Sequence, residues 1–369
     1  MAAEQRSVAI VGVGLMGGSL GLAARRHAGV DRVVGWSRSP ETVRRALELG
    51  AITEAADSIE AAASSAGIVF VCTPVRLVPE HVRRAHAAAP PGAVVTDVGS
   101  TKGSLMRGLG PAEQERCIGG HPLCGSETAG VANARDSLYE DATYFLTPGQ
   151  HVRPEAFQSL YDFVVRIGAQ PVAVDPDEHD RVLALVSHLP HVLANVLMAQ
   201  AGEQRGSRDP LLATGPSFRD MTRIAGSNRA VWTDIFMENR EALLGALHTY
   251  RDGLAEVLAA LETSDEGRLA ESIGRAAAQR QRLLAAESLT ADKLFRVVVR
   301  IPDRPGVLQE ITVALGDANI NIEDLALHHM SAELGGTLTV YVLGADVRDR
   351  AEALLAGLGY QVTTGRGVG

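Results

Sequence analysis

A histidine stands at the centre of Gly119-Gly120-His121-Pro122-Leu123-Cys124-Gly125. Glycines let a backbone come close to a ligand, and Pro122 sets the chain direction behind the imidazole. The spacing reads as a glycine-rich turn. An imidazole titrates near neutrality, so it can take the proton of an alcohol while a hydride leaves the same carbon. That chemistry needs a hydride acceptor, and a second glycine cluster offers a place for one. Gly12, Gly14 and Gly17 follow the apolar run Ser7-Val8-Ala9-Ile10-Val11 and precede the helical pattern of Leu20, Leu22 and Ala23-Ala24. Between a strand and a helix, the first glycine permits a tight turn and the second lets the backbone approach a pyrophosphate. The third lets helix and strand pack closely, and the helix N-terminus attracts the phosphates. The pattern predicts a dinucleotide site on Gly12, Gly14, Leu15, Met16 and Gly17, with Cys72-Thr73-Pro74 passing near the cofactor from the end of a later strand.

The end of the second strand bears on which dinucleotide binds. NAD sites usually place an acidic residue there for the ribose hydroxyls, whereas this chain has Trp36-Ser37-Arg38-Ser39 and no carboxylate before Glu41. A hydroxyl and a guanidinium, Ser37 and Arg38, suit a 2′-phosphate, so NADP is favoured over NAD. Ser39 also reads as a helix cap. His188 and His191 have the spacing of a metal pair, but no third ligand is evident and Pro190 distorts the helix between them; no metal is expected. Ser187 and His191 share a helical face and read as pocket lining. His179 reads as a plain helix-start residue, and Cys124 as packing or pocket lining without a base partner.

These residues need elements to hold them. Arg32–Trp36, Ile68–Cys72 and Ala93–Asp97 repeat the first strand pattern between helical stretches, and Tyr144–Thr147 and Gln170–Val174 follow as later strands. That alternation predicts an α/β fold with a Rossmann-type parallel sheet covered on both faces, over 1–175. From Asp177 strand signals vanish, and an all-α domain is predicted over 176–290. There Phe236, Leu243, Leu247, Tyr250, Leu254, Val257 and Leu261 form a packing seam, interrupted at Arg240. It is read either as packing within one subunit or as an intertwined homodimer interface. A third unit over 294–369 has the order βαββαβ, beyond a polar linker at Glu287–Asp292.

The bulk properties agree. The chain has 369 residues, 46% hydrophobic and 21% charged, with a net charge of −9. That acidity speaks against nucleic-acid binding and for a small-molecule substrate. Three cysteines without metal-site spacing, no basic-then-apolar leader and no apolar run near membrane length predict a cytoplasmic protein with no membrane partner.

The opening glycine fingerprint, Asp97-Val98-Gly99-Ser100-Thr101-Lys102, Gly120-His121-Pro122, Ser187-His188-Leu189-Pro190-His191 and Phe218-Arg219-Asp220-Met221-Thr222-Arg223-Ile224-Ala225 occur in that order. Together they resemble the prephenate/arogenate dehydrogenase family of tyrosine biosynthesis, over about Val8 to Ala286. The resemblance implies His121 as catalytic proton acceptor, Ser100 as its hydroxyl partner and Arg223 as a substrate carboxylate clamp. It also implies Ser126, Glu127, His191, Asp220 and Trp232 as pocket residues. Pro302-Asp303-Arg304-Pro305-Gly306-Val307-Leu308 and Asn319-Ile320-Asn321-Ile322 resemble an ACT domain, a ferredoxin-like unit that binds amino acids. That implies L-tyrosine feedback at Asp303, Pro305, Gly306, Asn319 and Ile320, or else a purely structural domain.

The implied chemistry fits the residue types. Loss of hydride from the hydroxyl-bearing ring carbon, with the ring carboxylate leaving as CO2, makes an aromatic phenol. The protein then has mainly to orient the substrate and accept a proton, and an arginine can hold a carboxylate through two parallel hydrogen bonds. Prephenate and arogenate differ only in a keto group against an ammonium; Glu127 could favour the latter. A β-hydroxyacid dehydrogenase would need a lysine in the helical domain, and Asp177 to Ala286 contains none. An amino-acid-sensing regulator with a vestigial nucleotide site is disfavoured by the intact glycines, His121 and Arg223.

Overall fold

The computed structural model describes residues 7–124, 128–203, 210–290, 294–331 and 335–366, in two compact units, Met1–Asp252 and Gly253–Gly369. In the first unit the apolar runs become β1 (Ser7–Val11), β2 (Arg32–Trp36), β3 (Glu54–Ala55), β4 (Ile68–Val71), β5 (Val94–Asp97), β6 (Cys117–Pro122), β7 (Thr143–Pro148) and β8 (Gln170–Ala173). They form one sheet in the order β3-β2-β1-β4-β5-β6-β7-β8. Val8 pairs with Ile68 and Val11 with Val71. Residues of one sheet face, including Ala9, Val11, Val69, Val71 and Val95, bury themselves against helix residues such as Ile59, Ala62, Val78 and Val82. Strands covered on both faces have no polar side to show, which is why they read as continuous apolar runs.

Two expectations need correction here. The sheet is not wholly parallel, because β7 runs antiparallel to β6, His121 opposite Phe145. And His121 lies in a buried strand, β6, rather than in a turn. Its glycines answer to crowding: a Cβ on Gly119 would sit 2.2 Å from Thr147 Oγ1, and one on Gly120 2.4 Å from the Asp97 carbonyl oxygen. The segment looks like a turn in sequence because the neighbouring strands leave no room for side chains.

The helical region is more broken than its periodicity suggests. The helix Pro176–Leu183 passes through a π-helical turn, Ala184–His188, into Leu189–Glu203. Pro190 has no N–H to give the carbonyl four residues earlier, and the wider turn accommodates the mismatch. The run Pro176–Glu203, 28 residues of mean hydropathy up to 1.7, is long and apolar enough by length and composition to cross a membrane. This corrects the reading that no run approaches that length; the charges of the run sit at its ends, within Asp177 to Arg181 and at Glu203, and only uncharged Ser, His, Pro, Asn and Gln interrupt the stretch between. From Arg229 on, the predicted all-α domain is three helices, Arg229–Glu238, Arg240–Glu262 and Glu266–Thr290. One break is at Asn239, and the other at Ser264, whose φ is 52°.

In the second unit β9 (Leu294–Ile301), β10 (Asp324–Ser331), β11 (Gly335–Leu343) and β12 (Gln361–Arg366) form an antiparallel sheet ordered β10-β11-β9-β12. With the helices Val307–Asp317 and Ala345–Gly357 this is the predicted βαββαβ order. Val297, Val299, Leu338 and Val340 meet Ile311, Leu315, Ala351 and Leu355 in an apolar core. Between the helix Val307–Asp317 and β10, which begins at Asp324, lies the motif Asn319–Ile322. Asn319 takes a left-handed φ of 56°, and Ile320 is spent filling the core.

Candidate active site

Because β1, β4, β5 and β6 are parallel, their carboxyl ends open on one edge, where ligands of such sheets bind. Gly12 leaves β1 with φ 101°, and a Cβ there would press to 2.7 Å on the Cys72 carbonyl oxygen. A Cβ on Gly17 would lie 2.2 Å from the Gly12 carbonyl oxygen, whereas Gly14, which caps the helix Leu15–His27, faces open space. These are the turn, the close packing and the ligand approach that a pyrophosphate needs, so the loop fits a dinucleotide. At the end of β2, Ser39 caps the next helix by accepting the Thr42 N–H at 3.3 Å. Among the described residues Arg38 is exposed and makes no hydrogen bond or ion pair. Thr73 is held by His81 Nδ1 at 3.0 Å. Burial raises the Cys72 thiol, and that of Cys124 up to about 12; neither is poised as a thiolate.

Next along the edge, buried Asp97 ends β5. Its carboxylate accepts the N–H of Gly120 at 3.0 Å and of Gly99 at 2.8 Å, and pairs with buried Lys102. Two oxygens and three donors offset the cost of taking the charges out of water. The pair ties the Gly99–Lys102 loop, which carries Ser100, to the strand that carries His121. Burial pulls the Lys102 ammonium down, against the upward pull of Asp97.

The helix Pro176–Leu183 adds His179 and Asp180, both buried. His121 Nδ1 lies 2.8 Å from His179 Nε2, and His179 Nδ1 lies 2.8 Å from Asp180 Oδ1. Asp180 also accepts the N–H groups of Lys102 and Gly103, each at 2.8 Å. Asn239, freed by the helix break, donates to the Asp180 carbonyl at 2.8 Å and to His188 Nδ1 at 3.0 Å. Burial holds His121 well below the ordinary imidazole value, helped by His179, Lys102 and His188. Burial also lowers His179 against the pull of Asp180, and takes His188 down to about 4. Burial alone would raise Asp180, but the His179 and backbone hydrogen bonds leave its carboxyl below the usual range. The site therefore presents neutral imidazoles over an ionised carboxylate.

A cavity of about 430 Å³ lies against His121, lined also by Ser100, Cys124, Ser187, His188 and Trp232. Trp232 stacks on His191 with ring centres 3.4 Å apart and packs on Phe236 at 5.5 Å. Of the sequence-predicted pocket residues, His121, Ser100, Ser187 and Trp232 thus share one cavity, and His191 backs it through Trp232. Arg223 and Asp220 are exposed at the end of the helix Pro216–Thr222 and do not line the cavity, although the Arg223 charge adds to burial in lowering His191. Ser126 and Glu127 lie outside the described residues. A larger cleft of about 800 Å³, lined by groups such as Ser104, Arg107, Asp177, Asp180, Asn239 and Arg240, has no imidazole in its lining. Among the described residues no three His, Cys, Asp or Glu are grouped to hold a metal ion.

In the second unit Gly306 (φ 89°) caps the helix Val307–Asp317. It follows Asp303 and Pro305, and Arg304 pairs with Glu310 at 2.7 Å. Sequence reading missed His179, Asp180, His188 and Asn239 as parts of the site. The adjacent His-Asp pair at 179–180 was the available signal, hidden by the strong Pro176 helix start beside it.

Comparison with known proteins agrees with this geometry. Residues 20–173 match the family model of the prephenate dehydrogenase nucleotide-binding domain, 175–275 that of its dimerization domain, and 295–359 the ACT domain. The chain is 32% identical over 352 residues, 94% of each sequence, to prephenate dehydrogenase of Bacillus subtilis (strain 168). It superposes with a TM-score of 0.71, at 31% identity, on prephenate dehydrogenase of A. aeolicus in complex with hydroxyphenyl propionate and NAD+, covering 77% of this chain and all (100%) of that one. Arogenate dehydrogenase of Synechocystis superposes with a TM-score of 0.67 at 28% identity, over 75% of this chain and 99% of that one. A strand-edge dinucleotide loop, a buried histidine at the same edge and these likenesses converge: the chain belongs to the prephenate dehydrogenase family and is an NAD(P)-dependent dehydrogenase.

Proposed function

We propose that the chain oxidatively decarboxylates prephenate to 4-hydroxyphenylpyruvate and CO2, with His121 as the proton acceptor. The observation that carries this reading is a buried, neutral imidazole facing a small-molecule cavity at the strand edge that holds the dinucleotide loop. A bound nicotinamide supplies the hydride acceptor. His121 takes the ring hydroxyl proton as the hydride leaves. The electrons of the breaking carbon–carboxylate bond close the aromatic ring, and His121 returns the proton to the phenolate oxygen. Ser100 hydrogen-bonds the same hydroxyl. Arg223 holds a substrate carboxylate, a role supported by its charge acting on His191 behind Trp232. Ser187 and Trp232 line the pocket with His191 behind them; the family resemblance adds Ser126, Glu127 and Asp220 as substrate contacts.

Gly12, Gly14, Leu15, Met16, Gly17 and Cys72-Thr73-Pro74 hold the dinucleotide, and Ser37 with Arg38 receives a 2′-phosphate, so NADP binds at least as tightly as NAD. The match to a dimerization domain supports a homodimer. The match to an ACT domain supports feedback by L-tyrosine at Asp303, Pro305, Gly306, Asn319 and Ile320. The deciding experiment follows formation of reduced nicotinamide with prephenate and arogenate, each with NAD and NADP. Faster turnover of prephenate supports the proposal; turnover of arogenate alone replaces the substrate, and strong NAD preference removes the role of Arg38.

A further inference from the structure

Resting on His121 as proton acceptor, we propose that His179 and Asp180 are positioning residues that hold His121 as its Nδ1–H tautomer, leaving Nε2 as its basic nitrogen. The argument runs from the carboxylate outward. Asp180 is an acceptor only, and its oxygens already take the backbone N–H groups of Lys102 and Gly103 at 2.8 Å. The group facing it across 2.8 Å, His179 Nδ1, therefore carries a hydrogen. A neutral His179 then has only a lone pair at Nε2, so the 2.8 Å contact to His121 Nδ1 requires the hydrogen to sit on His121. That leaves the lone pair of His121 at Nε2.

The opposite arrangement has a charged His179 donating to His121 Nδ1, which would put the hydrogen of His121 on Nε2 and block it as a base. Burial and the nearby Lys102 charge disfavour a cation on His179, while the charges of Asp97 and Asp180 face Lys102 and His179. Once His121 binds a proton at Nε2, its Nδ1–H bond to His179 becomes charge-assisted, with the Asp180 charge directly behind. The same carboxylate anchors Lys102 and Gly103, just beyond Ser100. One aspartate thus sets both the proton-accepting nitrogen and the loop that carries the cavity hydroxyl.

The test has two arms. In the intact chain labelled with 15N-histidine, with His121 assigned through His121→Asn, long-range correlation near neutral pH should show a protonated Nδ1 and an unprotonated Nε2. A protonated Nε2 overturns the proposal. In steady-state assays, His179→Phe keeps the aromatic packing against Phe145 but removes the acceptor. It should lower kcat about 10²- to 10³-fold with KM changed less than about threefold. His179→Gln, whose amide oxygen can accept from Nδ1–H, should recover about tenfold of that loss. A His179→Phe enzyme that binds cofactor and keeps kcat within about threefold of the parent also overturns it. If the parent chain oxidises neither prephenate nor arogenate, the functional reading fails, while the imidazole measurement still decides the tautomer.

Discussion

The two sheets of this protein spend their interiors differently. At the carboxyl edge of the eight-stranded sheet, Asp97, Lys102, His121, His179 and Asp180 are buried together, each paired with another charge, ring or backbone N–H. The four-stranded sheet buries Val297, Val299, Leu338, Val340 and their helix partners in a core, and among the described residues the buried polar groups of this unit are Thr337 and Thr339, neither charged. A buried polar cluster is costly unless every member is satisfied, and an apolar core of the second kind suffices for folding. The first sheet therefore carries an expense that only chemistry explains, and the second is built as a stable platform.

The contrast can be broken at its strongest point first. His121→Asn should lower turnover by roughly 10³- to 10⁴-fold while leaving cofactor affinity within about threefold; stopped-flow turnover and cofactor titration check it. Lys102→Met leaves Asp97 buried without its cation and should destabilise the first unit by about 3–5 kcal/mol, read by urea unfolding. Leu338→Ala should cost about 2–4 kcal/mol in the second unit by opening a cavity, and turnover with saturating substrate should persist. If it falls as far as in His121→Asn, the division of labour between the sheets is wrong. Arg38→Ala should weaken NADP about tenfold and leave NAD within about twofold, compared by fluorescence titration.

Acid should separate the two regions as well. His121, His179 and His188 lie below the ordinary imidazole value when folded, so the unfolded chain binds their protons first. Their contribution to stability is present above about 6.5 and drains away as pH falls toward about 4, the value His188 reaches. The same shifts keep His121 unprotonated, so kcat/KM should hold through the range where a free histidine would lose it. Thermal unfolding against pH should show the first unit weakening before the second.

Much of this was legible along the chain. The glycine loop turns at Gly12 and packs closely at Gly17 as its spacing implies, because helix N-termini and tight turns are local events. The strands β1, β2, β4 and β5 and the βαββαβ order of the C-terminal unit came from periodicity for the same reason. Where local signals misled, a distant partner had intervened. β6 passes for a turn because Thr147 and the Asp97 carbonyl forbid side chains at its glycines. The packing seam from Phe236 is carried by two helices that break at Asn239, whose side chain is drawn to His188 and Asp180.

Sequence alone pointed to a strand–glycine loop–helix turn, a candidate proton acceptor at His121 and a separate βαββαβ unit, since each rests on residues close together in the chain. Folding alone decided which nitrogen of His121 is free to act. Its partner His179 is 58 residues away, and Asp180 grips Lys102 from 78 residues away. Hydrogen-bond direction depends on atoms brought within 3 Å of one another, and no periodicity encodes that.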